Sequence, residues 1–112
     1  MEKRLVFRGM EHSAAIENYV QDKLAKLEKL LLAEEREPIR VEVILTAHRN
    51  HHHHTAEIHL TAANLSLTVQ RENPELYLAV DQVVDIMWDD VQKARKKQVD
   101  ARKEDHQFRV IK

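Results

Sequence analysis

The sequence contains no cysteine, which removes disulfide frameworks, thiolate zinc sites and cysteine nucleophiles together and fits a reducing cytoplasm. It has one glycine and two prolines in 112 residues, so flexible loops are scarce. Disorder is expected only in a short C-terminal tail. No apolar run approaches the ~20 residues that a membrane helix needs, and the opening MEKRLVFRGM lacks the apolar stretch of a signal peptide. No membrane partner is expected. A dominant charge sign is missing too, since 18 Lys plus Arg stand against 19 Asp plus Glu. Any case for a nucleic-acid partner must therefore rest on where the cations lie, not on their sum. There is no Gly-rich phosphate cradle and no nucleophile beside a base, so the reading is of a protein that is not an enzyme, with no cofactor and no small-molecule substrate.

What is present is 43% hydrophobic and 33% charged residues, a globular composition long enough for one core. One domain is expected over residues 1–104, followed by a short tail over 105–112. KRLVFR alternates Leu5 and Phe7 against Arg4, Val6 and Arg8, the pattern of a half-buried strand over residues 3–8. Ser13 is a good N-cap, and Ile16, Val20, Leu24, Leu27 and Leu31 recur at helical spacing to about residue 33. Pro38 ends that helix. Ile39 to His48 alternates again as the longest strand, and two further runs, Ala56 to Ala62 and Leu65 to Gln70, are separated only by Ala63 and Asn64. A two-residue loop pairs Ala62 with Leu65 and keeps both apolar sets on one face, which predicts a hairpin. Asn73 as N-cap and Pro74 at the first helical position open a second helix, with Tyr77, Val80, Val84, Met87, Trp88 and Val91 as its apolar stripe.

The expected class is α+β, in the order β-α-β-β-β-α, with two helices on one face of a four-stranded sheet, a layout resembling double-stranded RNA-binding domains. Strands one and two, joined by a helical crossover, are expected to be parallel neighbours, and strands two to four an antiparallel meander.

The second helix can run from Pro74 to about Glu104, ~46 Å, whereas a seven-residue strand spans ~23 Å. It must project. Between Val91 and Glu104 it carries Lys93, Arg95, Lys96, Lys97, Arg102 and Lys103, with Asp100 the single acid and Val99 the only large apolar side chain. Lysines at a helix C-terminus complement the macrodipole, but one or two in the last turn suffice for that. Six on one helix end match phosphate binding better, because each contact releases counterions. Lys23, Lys26 and Lys29 form a cationic row on the first helix, so two basic ridges are expected to flank a groove. The candidate binding residues are Lys23, Lys26, Lys29, Lys93, Arg95, Lys96, Lys97 and Arg102.

At these residues the chain resembles the bacterial ribosome hibernation factors, also called ribosome-associated inhibitor or sigma-54 modulation proteins, in the single-domain form. The resemblance covers roughly residues 4 to 100. VQDKLAKLEKL looks like that family's first helix, IRVEVIL its second strand, and TAEIHLTAANLSLTVQRENPELYLAVDQVVDIM its hairpin and the start of its last helix. The spacing of Tyr77, Asp81 and Asp85 is the most specific piece. The resemblance implies the same fold and binding to rRNA of the small ribosomal subunit in the decoding region. There the protein would block the mRNA and tRNA paths and silence idle ribosomes under stress or in stationary phase, as a cytoplasmic protein that is monomeric off the ribosome. It also implies rRNA-facing roles for Lys23, Lys26, Lys93 and Arg95, with Lys96 and Lys97 extending that patch. Ile86 and Asp89 depart from it, because relatives often carry a cation there, and Asp90 adds another acid.

Rival readings attach to three features. HRNHHHH, with His48 and His51 to His54, offers imidazole ligands for a metal, but successive residues of an extended loop point apart and no acid joins them. No metal site is expected; His51 and His53 are the weak candidates, and the segment reads as an exposed loop that can add phosphate contact when protonated. Tyr77 and Trp88 are expected in the core rather than as base-stacking platforms. Asp81, Asp85 and Asp89 are expected to form a solvated face. The alternative functions are a general double-stranded RNA binder and a protein-interaction module that uses the basic helix end.

Overall fold

Alternation and helical periodicity resolve into a four-stranded sheet covered by two helices. The computed structural model describes residues 1–48, 50 and 52–111, with 98–111 described by backbone course alone. The elements are β1 (Glu2–Arg8), α1 (Ala14–Ala33), β2 (Arg40–His48), β3 (His53–Ala62), β4 (Leu65–Asn73) and α2 (Leu76–Ile111). Strand order in the sheet is β1-β2-β3-β4. β1 lies parallel to β2, and β2, β3 and β4 are antiparallel, with Ala62 opposite Leu65 across the two-residue turn. Asn64 takes the left-handed conformation there, φ 58°, which asparagine tolerates better than most residues.

One sheet face is apolar. Val41, Val43 and Leu45 of β2, Ala56, Ile58 and Leu60 of β3 and Val69 of β4 join Val20, Leu24, Leu27 and Leu31 of α1 in a single core. α2 adds Leu76, Ala79, Val80, Val83, Val84, Met87 and Val91. Leu5 and Phe7 of β1 pack at its margin. Ile44, on the opposite face of β2, is also buried.

The only glycine sits where no other residue fits. Gly9 follows β1 at φ 70°, and a Cβ there would lie 2.6 Å from the Ala47 carbonyl oxygen. Ser13 caps α1 as expected, its Oγ accepting from the Ile16 N–H at 3.3 Å. The other end of α1 closes with Glu35 in the left-handed region, φ 56°. Arg36 N–H donates to Leu31 O and Glu35 N–H to Leu32 O, the pair of bonds that satisfies terminal carbonyls in a Schellman motif.

Arg36 then does something that the polar character of EEREP hides. It is 5% exposed, its Nη1 donates to Ala63 O at 3.1 Å, and its own carbonyl accepts from the Ala63 N–H at 2.9 Å. Its Nε also reaches Glu34 Oε1 at 3.3 Å, a pair with side chains only 6% and 3% exposed. The end of α1 is thereby clamped to the β3–β4 turn.

Three boundaries depart from the sequence reading. β3 begins at His53 instead of Ala56, because the histidine run pairs with β2 and β4. α2 begins at Leu76, since Asn73 still belongs to β4 and its Oδ1 accepts from the Glu75 N–H at 2.9 Å, while Glu75 O accepts the first helical bond from Ala79. α2 then continues through the segment expected as a disordered tail, for 36 residues. A helix of that length measures ~54 Å, close to the 62 Å long axis of the molecule. Beyond Pro74 the chain has no proline or glycine to stop it.

Candidate nucleic-acid interface

α1 and α2 run in step across the core. Tyr19 meets Tyr77 edge to face, with ring centroids 4.8 Å apart, and Lys23 reaches Asp81 Oδ1 at 3.1 Å. Both pairs have the same residue offset, so the helices run parallel along the seam, and the same offset carried to the end of α1 at Ala33 corresponds to Val91. The Tyr19 hydroxyl donates to the same Asp81 oxygen, and the Lys23 ammonium stands 5.6 Å from the Tyr19 ring centroid. Donation to Asp81, burial and the negative charge of Asp81 together raise the Tyr19 phenol above its usual 10.0. The hydrogen bond to Asp81 likewise raises Lys23 above 10.5, against a smaller opposing effect of burial. Both stay protonated at neutral pH. One turn further on, Lys23, Lys26, Val84, Asp85 and Trp88 line a cavity of about 220 Å³.

This arrangement corrects three expectations. The groove is not flanked by two basic ridges, because Asp81 and Asp85 of α2 face Lys23 and Lys26 of α1. The cations of α2 start at Lys93, past the level where α1 ends. Asp81 is not part of a solvated face, since it joins the two helices. Tyr77 does not enter the core: it is 43% exposed while Leu76 is buried, and Trp88 is half-buried, packed on the core margin. The buried stripe runs through Leu76, Val80, Val83, Met87 and Val91. Residues 77, 81, 84, 85 and 88, at the three- and four-residue spacing of one helix face, form the flank beside α1.

The candidate cations divide accordingly. Lys23 is half-buried and engaged by Asp81, whereas Lys26 and Lys29 are exposed. Lys93, Arg95, Lys96 and Lys97 are exposed. None of these four has an ion partner among the described residues. Arg102 falls where the side chains lie outside the described residues. At about 100° per residue, Lys93, Lys96 and Lys97 share one face of α2 and Arg95 points roughly the opposite way.

The histidine segment is more ordered than a loop. His48 and His53 are cross-strand partners with rings stacked at 4.7 Å, His48 Nε2 lies 2.7 Å from Thr55 Oγ1, and His53 Nε2 lies 3.5 Å from Glu72. His54 Nδ1 is 3.1 Å from the Pro74 carbonyl. With Ala47 and His52 they line a cavity of about 310 Å³. Among the described residues no three His, Asp or Glu side chains are grouped to hold a metal ion. His51 lies outside the described residues. Among those residues, no helix is long and apolar enough to cross a membrane.

Residues 4–99 match the family described as Sigma 54 modulation protein / S30EA ribosomal protein. The chain belongs to this family. Among solved structures, it is similar to the N-terminal domain of Protein Y from Thermus thermophilus, with a TM-score of 0.69 and 27% identity over 83% of this chain and 98% of that one. It is also similar in fold to a ribosomal subunit interface protein from Coxiella burnetii, with a TM-score of 0.68 and 15% identity over 86% of this chain and 99% of that one. No curated protein sequence matches it. The family assignment agrees with the β-α-β-β-β-α order and the single helix-covered sheet face.

Proposed function

We propose that this protein is a ribosome hibernation factor that binds rRNA of the small ribosomal subunit at the decoding region. There it occupies the mRNA and tRNA paths and stops idle ribosomes from translating under stress or in stationary phase. It acts in the cytoplasm and is monomeric off the ribosome. Family membership supports ribosome association. The observation that carries the reading to RNA is the exposed cationic stretch Lys93 to Lys97, set on α2 beyond Val91, its last core residue among the described side chains. Exposed cations that make no ion pair with a described residue are free to replace phosphate counterions.

The test is co-sedimentation with bacterial ribosomal subunits at low and moderate salt, beside a variant with Lys93, Arg95, Lys96 and Lys97 changed to Glu. The wild type pelleting with the small subunit and the variant staying in the supernatant is the expected result. Equal pelleting of both removes the helix end from the interface. Short duplex RNA that displaces the protein from the subunit assigns a general duplex-RNA binder instead.

A further inference from the structure

The cavity between α1 and α2 combines three groups that core packing does not need. Trp88 forms its wall with an indole that is only half-buried. Lys26 and Asp85 are exposed on its two sides, and neither makes a hydrogen bond or ion pair with a described residue. Lys23 is already engaged by Asp81 at 3.1 Å and also feels the Asp85 charge, which leaves the exposed Lys26 ammonium, the exposed Asp85 carboxylate and the part of Trp88 outside the core lining the cavity. A volume of about 220 Å³ accommodates a nucleobase. It is too small for a duplex.

From this set we infer that the cavity takes one unstacked guanosine of a single-stranded RNA, with the base on the Trp88 indole, the Watson–Crick edge on Asp85 and the backbone phosphate on Lys26. An aromatic face stacks any base, so the indole alone carries no preference. The carboxylate supplies it. A carboxylate only accepts hydrogen bonds, and guanine alone offers two adjacent donors, N1–H and N2–H, on that edge. Adenine and cytosine set a ring-nitrogen acceptor beside their amino group, and uracil flanks its one N–H with two carbonyls. Lys26 lies across the seam, where a phosphate attached to such a base can meet it. This inference deepens the proposed RNA-binding reading and rests on it.

Trp88 is the only tryptophan in the chain, so its fluorescence reports this cavity directly. Titration with the pentanucleotide UUGUU is expected to quench it saturably, with an affinity about tenfold or more above that of UUAUU, the discrimination of a good two-bond base contact. Asp85→Asn is expected to erase the preference, and Lys26→Gln to weaken both oligonucleotides while leaving the preference in place. Both residues are exposed, so neither change threatens folding. If Asp85 only repels phosphate, Asp85→Asn tightens all RNAs equally and the inference fails. Quenching by free guanosine monophosphate as tight as by UUGUU overturns the assignment to an RNA strand. Small-subunit co-sedimentation that persists without any guanosine-dependent quenching defeats this inference and leaves the proposed function standing.

Discussion

Replacing Lys93, Lys96 and Lys97 by Gln removes the cations of one face of α2 and leaves Arg95 in place. At about 100° per residue, Lys96 and Lys97 lie about 60° and 40° to either side of Lys93, whereas Arg95 lies about 160° away. A surface of phosphates touching the helix from one side therefore engages three of the four cations, not all of them. Each phosphate contact adds ~0.7 to the log–log salt slope for single strands and ~0.9 for duplex. The triple substitution should flatten the slope by about 2 to 3. Between about 50 and about 200 mM salt the wild type should then lose about 15- to 40-fold more affinity than the variant. Arg95→Gln alone should leave the slope nearly unchanged. The assay is binding to isolated small subunits, by filter retention or sedimentation, across a salt series. Thermal unfolding should be unaffected, because Val91 is the last core residue of α2 among the described side chains and all three lysines are exposed. A slope that moves as much for Arg95→Gln as for any one lysine refutes the one-faced contact. A triple variant with the wild-type slope refutes the role of the helix end.

Three further outcomes follow from single contacts. Gly9→Ala puts a Cβ 2.6 Å from Ala47 O at φ 70° and should cost more than about 2 kcal/mol in chemical denaturation; a loss under about 1 kcal/mol means that the turn is softer than its geometry. Arg36→Met leaves the Glu34 carboxylate buried without its cation, with Oε2 already lacking a partner, and should cost about 3 kcal/mol. The double variant with Glu34→Gln should recover part of that loss, and a double variant as unstable as the single would locate the cost in the lost guanidinium bond to the Ala63 carbonyl. In a Tyr77→Phe background, Tyr19 is the only tyrosine left, and its ultraviolet titration should have a midpoint above 10.0 because the native state holds the proton more tightly. The same raised values for Tyr19 and Lys23 mean that their stabilisation is complete at neutral pH and is lost as pH rises past about 10 toward the folded-state values. Asp81→Asn should lower the Tyr19 midpoint, which absorbance titration checks.

Most of the fold was legible because each strand reads with period two and each helix with one apolar stripe. Register followed from the two residues Ala63 and Asn64, which leave a single pairing that keeps Ala62 and Leu65 on the core face. The errors lie where a residue's neighbours in space decide its role. Tyr77 looks like core in a list of apolar positions, but Leu76 holds the stripe, and only the presence of Tyr19 across the seam explains the tyrosine. Arg36 reads as one charge among several in a helix-ending segment, and nothing local announces that its guanidinium caps a turn that follows it by 27 residues. The histidines read as loop because β-propensity is weak for His, while cross-strand pairing extends the ladder to His53. Asp81 could have been suspected from its spacing with Tyr77. Its two partners on α1 could not.

The seam between the helices also decides where an RNA-binding surface can be on this chain. One Asp81 oxygen takes both the Lys23 ammonium and the Tyr19 hydroxyl, so the contact ties α1 to α2 and presents no net cation to a phosphate. Asp85 shares the cavity with Lys26, and the next outward turn of α2 carries Asp89 and Asp90 and no cation. The basic surface is therefore displaced along α2, away from the domain, to Lys93, Lys96 and Lys97, with Lys29 the remaining exposed cation of α1 nearest that end. A phosphate backbone drawn to both must run along the outer part of α2, with the mixed-charge cavity at its inner margin. Neutral in sum and aromatic in its wall, that cavity cannot draw RNA by charge, but it can select a base once the cationic face has brought the strand near. Long-range attraction and base choice are then assigned to different turns of one helix: removing the lysines should weaken binding to every sequence and flatten its salt dependence, while changing Asp85 should alter only which sequence is held.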